Sequence, residues 1–245
     1  MIWYIWIAQP ELFFSIIQQH SIKEDFSMAS VKKYTQDAVC PILRHNERSA
    51  ATHSNADIDI NRSNENYRLS PEHNCSDFDY FKNQLKNYQC MNRKDVIKMA
   101  SWIITAPDDL PAEQEPAFFT ACHDFLNTRY GIDNELQAIV HYDEVHSYVD
   151  KNTGTIKSSR PHLHYCFIPA QMDKNGNPRI CAKKVINRTD LRNFHPDLQK
   201  FLNDRNISAT VYSGVTKMQG GNIPVRDLKR NDYHIDLTCE RGFTF

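Results

Sequence analysis

"HYDEVHSYVDKNTGTIKSSRPHLH", residues 141–164, is the stretch on which the reading of this chain turns. Apolar and β-branched residues lead into it through "LQAIVHYDE" (136–144) and out of it through "PHLHYCFIP" (161–169), so both ends read as strands. A hairpin turning between Asn152 and Thr153, beside Gly154, sets His141 opposite His164 in an antiparallel pair. His162 and His164 are two apart on one strand and share a face, and this register puts His141 on the same face. A three-residue loop would send His141 to the other side unless a bulge restored the parity. An HxH pair alone is commonly a chance pairing on a strand. A third histidine in register, the acid Glu144 three residues after it and Pro161 directly before His162 favour a site. Three neutral imidazoles with Asp143 and Glu144 nearby suit a divalent transition metal with open coordination positions.

Outward from this hairpin, "EPAFFTACHDFLNTRYG" (115–131) predicts a helix with Phe118, Cys122, Phe125 and Leu126 on one stripe and Gly131 as its stop. "FDYFKNQLKNYQCMNRKDVIKMA" (78–100) predicts one helix or two behind the cap candidates Ser76 and Asp77, followed by a short strand "SWIIT" (101–105). "NGN" (175–177) reads as a tight turn and "FHPDLQKFLNDRN" (194–206) as a third helix. "ATVYSGVTKMQGGNIPVRDLKR" (209–230) predicts a strand and a Gly-Gly loop. Residues 29–71, rich in Asn, Ser and Asp, read as loop around short elements. Helices packed on a central antiparallel sheet make the fold class α+β.

The 245 residues divide into an apolar extension (1–27), a main domain (28–231) and an unpatterned tail (232–245). No Lys or Arg precedes the apolar stretch of the extension, which argues against a secretory signal, and Met28 is the expected true start. A mean hydropathy of −0.61 and the lack of an 18-residue apolar run argue against a membrane span. Seven cysteines, an odd count without a CxxC pair, suit free thiols in a reducing cytoplasm. A net charge of −1 gives no global sign of a nucleic-acid partner, so any such case rests on local features.

The order "HYDE" … "PHLH" resembles the HxDExxPHxH signature of the MobV relaxases, the plasmid mobilisation and recombination proteins of Pre/Mob type. The family spaces its first two histidines by seven residues. Here the spacing is 21, and the even excess is consistent with a longer hairpin carrying seven added residues on each arm. "HNERSAATHSNADIDINRSNENY" (45–67), "RKDVIKMASWIIT" (93–105) and "SGVTKMQGGNIPVRDLK" (213–229) are similar to further family segments in the same order.

The resemblance implies an HUH-type relaxase-like fold with a histidine-triad metal site, and nicking and rejoining of single-stranded DNA at a plasmid transfer origin. It implies His45 as nucleophile, His141, His162 and His164 as ligands of a divalent ion, manganese or magnesium, and Glu144 as the acid beside them. Arg48, three residues after His45, is expected on the same helical face with its donor fork toward a phosphate. Tyr67 is expected to stack a base or position His45, and Arg93 and Lys94 to contact backbone phosphates. A neutral imidazole attacks without first losing a proton, unlike a tyrosine. His53, His73 and His123 match no functional motif. Two rival readings are a catalytically silent DNA-binding factor and an unrelated three-histidine hydrolase. The second leaves "HNER" (45–48) and "DIDINRSNENY" (57–67) unexplained.

Overall fold

A computed structural model describes residues 28–49, 55–149 and 154–212. Its centre is a five-stranded antiparallel sheet in the order β1-β3-β7-β4-β2. These strands are β1 (Ala29–Thr35), β2 (Tyr67–Arg68), β3 (Ile97–Thr105), β4 (Glu135–His141) and β7 (His162–Phe167). β4 is buried along all seven residues, as expected of an inner strand covered on both faces. The edge strand β1 exposes Lys32 and Lys33, charges that discourage further pairing along that edge.

Two helical layers cover the sheet. Helix α1 (Gln36–Asn46) and α2 (Asp77–Gln84) close one face over Met99, Leu136 and Cys166. Helices α3 (Glu115–Tyr130) and α5 (Arg188–Asn203) close the other, where the Phe194 and Trp102 rings stack with centroids 3.6 Å apart. The architecture is α+β, as the sequence predicts. Ser76 caps α2 by accepting from the Asp79 amide at 3.1 Å, and α3 ends at Gly131 with φ +89°, a conformation that any side chain would strain.

Four expectations need correction. Residues 29–71 are not mainly loop, because they hold β1 and α1. The apolar stripe of α1 is only Val39 and Leu43 with the polar Asn46, and Pro41 sits inside it, so its helical pattern is faint. "VIKMA" (96–100) belongs chiefly to β3, whose β-branched and apolar residues pair with both β1 and β7. The third helix starts at Arg188 rather than Phe194, where Asn187 Oδ1 accepts from the Thr189 and Asp190 amides at 2.8 and 3.0 Å. Residues 209–212 join no strand, and the remainder of the 209–230 segment, like the 1–27 extension and the 232–245 tail, lies outside the described residues.

The hairpin itself is built differently from its expected form. A separate two-stranded ribbon, β5 (Ser147–Val149) and β6 (Ile156–Ser158), carries the added residues. Within it Ser147 faces Ser158, the register of a turn at Asn152–Thr153, although those turn residues lie outside the described ones. Between β4 and β7, however, His141 faces His162, and His164 faces Ile139. Tyr142–His146 puts two more residues on one arm than Ser159–Pro161 puts on the other. A slip of two preserves the side-chain face, so all three histidines still meet. Farther along, Asn175–Gly176 turns between β8 (Ala170–Met172) and β9 (Pro178–Ile180), with Gly176 at φ +79°, and α4 (Ala182–Val185) follows.

Candidate active site

Register brings the imidazoles together. The His141 ring centroid lies 5.5 Å from that of His162 and 4.6 Å from that of His164, and the last two are 4.9 Å apart. Glu144 leaves the end of β4 to bridge with Ile58, which turns its carboxylate back over the cluster. One ligand atom from each of His141, Glu144, His162 and His164 lies within 4.8 Å of all the others.

Hydrogen bonding sets which nitrogens face inward. His141 Nε2 donates to the Asn46 carbonyl at 2.8 Å, leaving the Nδ1 lone pair toward the cluster, 3.5 Å from Glu144 Oε1 and accepting from Arg48 Nη2 at 3.2 Å. His162 Nδ1 lies 3.3 Å from the Arg160 carbonyl, leaving Nε2 3.8 Å from Glu144 Oε2. His164 Nε2 is buried without a hydrogen-bond partner. A buried polar nitrogen left unpaired costs about 1–3 kcal/mol, a penalty that a bound cation removes. Burial first, and then the neighbouring imidazoles, holds His164 well below its ordinary pKa, and burial lowers His162 as well. Both are therefore neutral at pH 7, the state a metal ligand requires. Three neutral imidazoles, one carboxylate and an orphaned inward nitrogen fit a divalent transition ion. Burial pushes the Glu144 carboxyl up, but its contacts with the surrounding imidazoles, His141 and His45 first, hold it well below the usual carboxylate range, so it is ionised.

His45 comes from the last turn of α1. Its Nε2 is 3.4 Å from Glu144 Oε1, and its ring centroid is 6.4 Å from that of His141. Arg48 adopts φ +56° just past the helix end, a left-handed conformation that is uncommon for a side-chain-bearing residue and returns the guanidinium to the helix terminus. There Nη1 donates to the His45 carbonyl at 2.8 Å, while Nε and Nη2 grip Asp143 at 2.7 and 2.6 Å and Nη2 reaches Glu144 at 3.0 Å. The fork expected on a phosphate is thus engaged by two carboxylates, and Arg48 sits beyond α1 rather than on its face. Ser63 Oγ donates a further bond to Asp143 at 2.7 Å.

Other expected contacts lie elsewhere. Tyr67 faces Val140 across β2 and β4, on the α3 side of the sheet, away from His45 and the cluster, with its ring 6.1 Å from that of Tyr142. Burial pushes its hydroxyl up to about 12. Arg93 and Lys94 are exposed where the chain enters β3, whose nine residues separate them from His162 by about 25 Å. His73 stacks on Tyr80 and His123 pairs with Glu135 at 2.6 Å, both away from the cluster, while His53 lies outside the described residues.

Sequence reasoning missed the buried polar chain that anchors α1. Asn46 Nδ2 donates to Gln137 Oε1 at 2.8 Å, Gln137 Nε2 to Asp77 Oδ2 at 2.7 Å, and Arg68 Nη2 to that same Asp77 oxygen at 2.5 Å. One signal was present: Gln137 is a polar residue amid the apolar run of β4 and shares its face with His141.

The profile of the family described as plasmid recombination enzyme matches residues 23–210. A plasmid recombination enzyme of Lactiplantibacillus plantarum is 27% identical over 211 residues, covering 83% of this chain and 53% of that protein. One of Streptococcus agalactiae is 28% identical over 190 residues, covering 73% and 34%. The chain thus spans about half or less of the length of these curated relatives. Among solved structures, a MobM relaxase domain bound to plasmid pMV158 oriT DNA, in a Mn-bound crystal form, superposes with a TM-score of 0.66 at 26% identity over 84% of this chain and 99% of that one. With the histidine cluster, the sheet that builds it and this extended match all in one chain, the protein belongs to the plasmid recombination enzyme family, Mob/Pre.

Proposed function

We propose that the protein is a relaxase that nicks and rejoins one strand of plasmid origin DNA, with His45 as the attacking group. The observation that carries this reading is the 3.4 Å approach of His45 Nε2 to Glu144, the acid of the four-residue cluster. A neutral His45 nitrogen attacks phosphorus, a P–N bond forms and the P–O3′ bond breaks. The ring becomes cationic on attack and passes its one remaining N–H proton to Glu144, while the departing 3′ oxygen takes up a proton from solvent. Reversal by the 3′ hydroxyl reseals the strand. Arg48 holds Glu144 and the helix terminus beneath His45, so the nucleophile and its base keep a fixed spacing.

His141, His162, His164 and Glu144 would hold the divalent ion, manganese being the ion in the similar MobM domain. When bound, the ion supplies Lewis-acid stabilisation of charge on the phosphoryl oxygens. Arg93 and Lys94, exposed and remote from the cluster, are proposed to touch only DNA that extends well past the cleaved bond. Tyr67 is proposed to pack the α3 side.

The test is to incubate the protein and Mn2+ with labelled single strands carrying plasmid origins. An acid-labile, alkali-stable protein–DNA adduct, lost in His45→Ala, is expected. Cleavage without an adduct would indicate a hydrolase, binding without cleavage a silent factor, and an adduct that persists in His45→Ala another nucleophile.

A further inference from the structure

The charge of the molecule is unevenly placed. Overall it is −1, yet the corner running from β9 through α4 into the first two turns of α5 carries Arg179, Lys183, Lys184, Arg188 and Arg192. All five are exposed, and none is within ion-pair distance of a carboxylate among the described residues. The one acid in this stretch, Asp190, is already committed to Arg129 Nε at 2.8 Å and the Tyr130 hydroxyl at 3.0 Å. The corner is fixed rather than dangling: Asn187 Nδ2 donates to the Lys184 carbonyl at 2.8 Å, and Lys33 of β1 donates to the Ile186 carbonyl at 3.1 Å.

We propose that this corner is a second DNA-contact surface, taking the sugar-phosphate backbone of duplex DNA that flanks the strand held at His45. The inference rests on the relaxase reading for its polyanion. Arg188 and Arg192 stand one turn apart on α5, their side chains about 6 Å apart, and Lys183 and Lys184 precede them on α4, so the charges are strung along the corner, which suits a linear array of phosphates better than a single convergent anion. Residues 179–192 contain no aromatic side chain, whereas surfaces that bind single strands stack bases on aromatic rings. The corner begins where β7 ends, with the Cys181 amide bonded to the Pro169 carbonyl at 2.9 Å, and the six residues of β7 separate it from His162 by about 20 Å. At about 3.4 Å per nucleotide, DNA must extend roughly six positions past the cluster to reach it.

The variant Lys183→Gln/Lys184→Gln/Arg188→Gln/Arg192→Gln leaves the core and the metal cluster untouched. Affinity is read by fluorescence anisotropy between 50 and 200 mM salt, on a single-stranded origin probe alone and on the same probe joined to a 20-bp duplex of arbitrary sequence. On the duplex-bearing probe the variant is expected to bind at least tenfold more weakly than wild type at about 150 mM salt, and to lose about 0.9 in log–log salt slope for each phosphate contact removed. On the single strand the two proteins should bind and cleave alike. Equal affinity and slope on the duplex-bearing probe would overturn the proposal. An equal loss when a single-stranded flank replaces the duplex would overturn the assignment to duplex DNA. Failure of the relaxase reading is distinct: wild type would then form no adduct on the single-stranded probe.

Discussion

Replacing Arg48 with methionine tests how far the site depends on one guanidinium. The Asp143 side chain is fully buried and accepts two bonds from Arg48, at 2.7 and 2.6 Å, and one from Ser63. Arg48→Met keeps much of the volume but strands a buried carboxylate with a single hydroxyl donor. Removing one partner of such a pair costs about 3–5 kcal/mol, and the lost bond to the His45 carbonyl adds about 1 kcal/mol. A loss of about 4–6 kcal/mol would be a large share of the roughly 5–15 kcal/mol typical of a domain. Urea denaturation without added metal, followed by far-UV circular dichroism, measures it. Adding Asp143→Asn to Arg48→Met removes the stranded charge and should restore about 2 kcal/mol. A loss below about 1 kcal/mol in the single variant, or no recovery in the double, would refute the claim that this pair anchors the end of α1.

Three further outcomes are expected. His164→Leu removes a buried nitrogen that has no partner, so thermal stability without metal should hold or rise, while the stabilisation by Mn2+, about 2.7 kcal/mol at a hundred times Kd in wild type, disappears; a large loss without metal would show that His164 serves packing. Burial, with Asp77 beside it, pushes the Glu47 carboxyl up to about 7, so its favourable protonated form is present below the unfolded value near 4.5 and lost as pH rises through 7. Glu47→Gln should therefore gain on wild type, on the order of 1 kcal/mol, between pH 5 and 8.5 in denaturation experiments, and parallel curves would contradict this. Replacing the ribbon Ser147–Ser158 by Asn-Gly should leave Mn2+ stabilisation intact, because β4 and β7 fix the histidine register through their own ladder; loss of ion binding, read by calorimetry, would show that the ribbon shapes the cluster.

The histidine cluster was legible because strand periodicity is two and face identity survives any even slip. That is why His141, His162 and His164 converge although the expected partner of His141 was wrong by two residues. Helix α3 was legible from its broad apolar stripe and terminal glycine. α1 was not, since its buried stripe includes a polar residue, Asn46, whose burial makes sense only once Gln137 stands opposite it. The engagement of Arg48 was equally hidden, because a left-handed residue just past a helix end redirects a side chain in a way that spacing does not encode. Tyr67 went astray because its side of the sheet is set by pairing with Val140, a contact between segments far apart in sequence.

The bond from the His141 ring to the backbone of Asn46 joins the ligand cluster to the residue next to His45. An ion that steadies the ring thereby steadies the carboxy-terminal turn of α1. Cation uptake should accordingly slow amide deuterium exchange at Asn46 and Glu47 while exchange in α5 keeps its pace, and any DNA that orders that turn must in return tighten the hold on the ion.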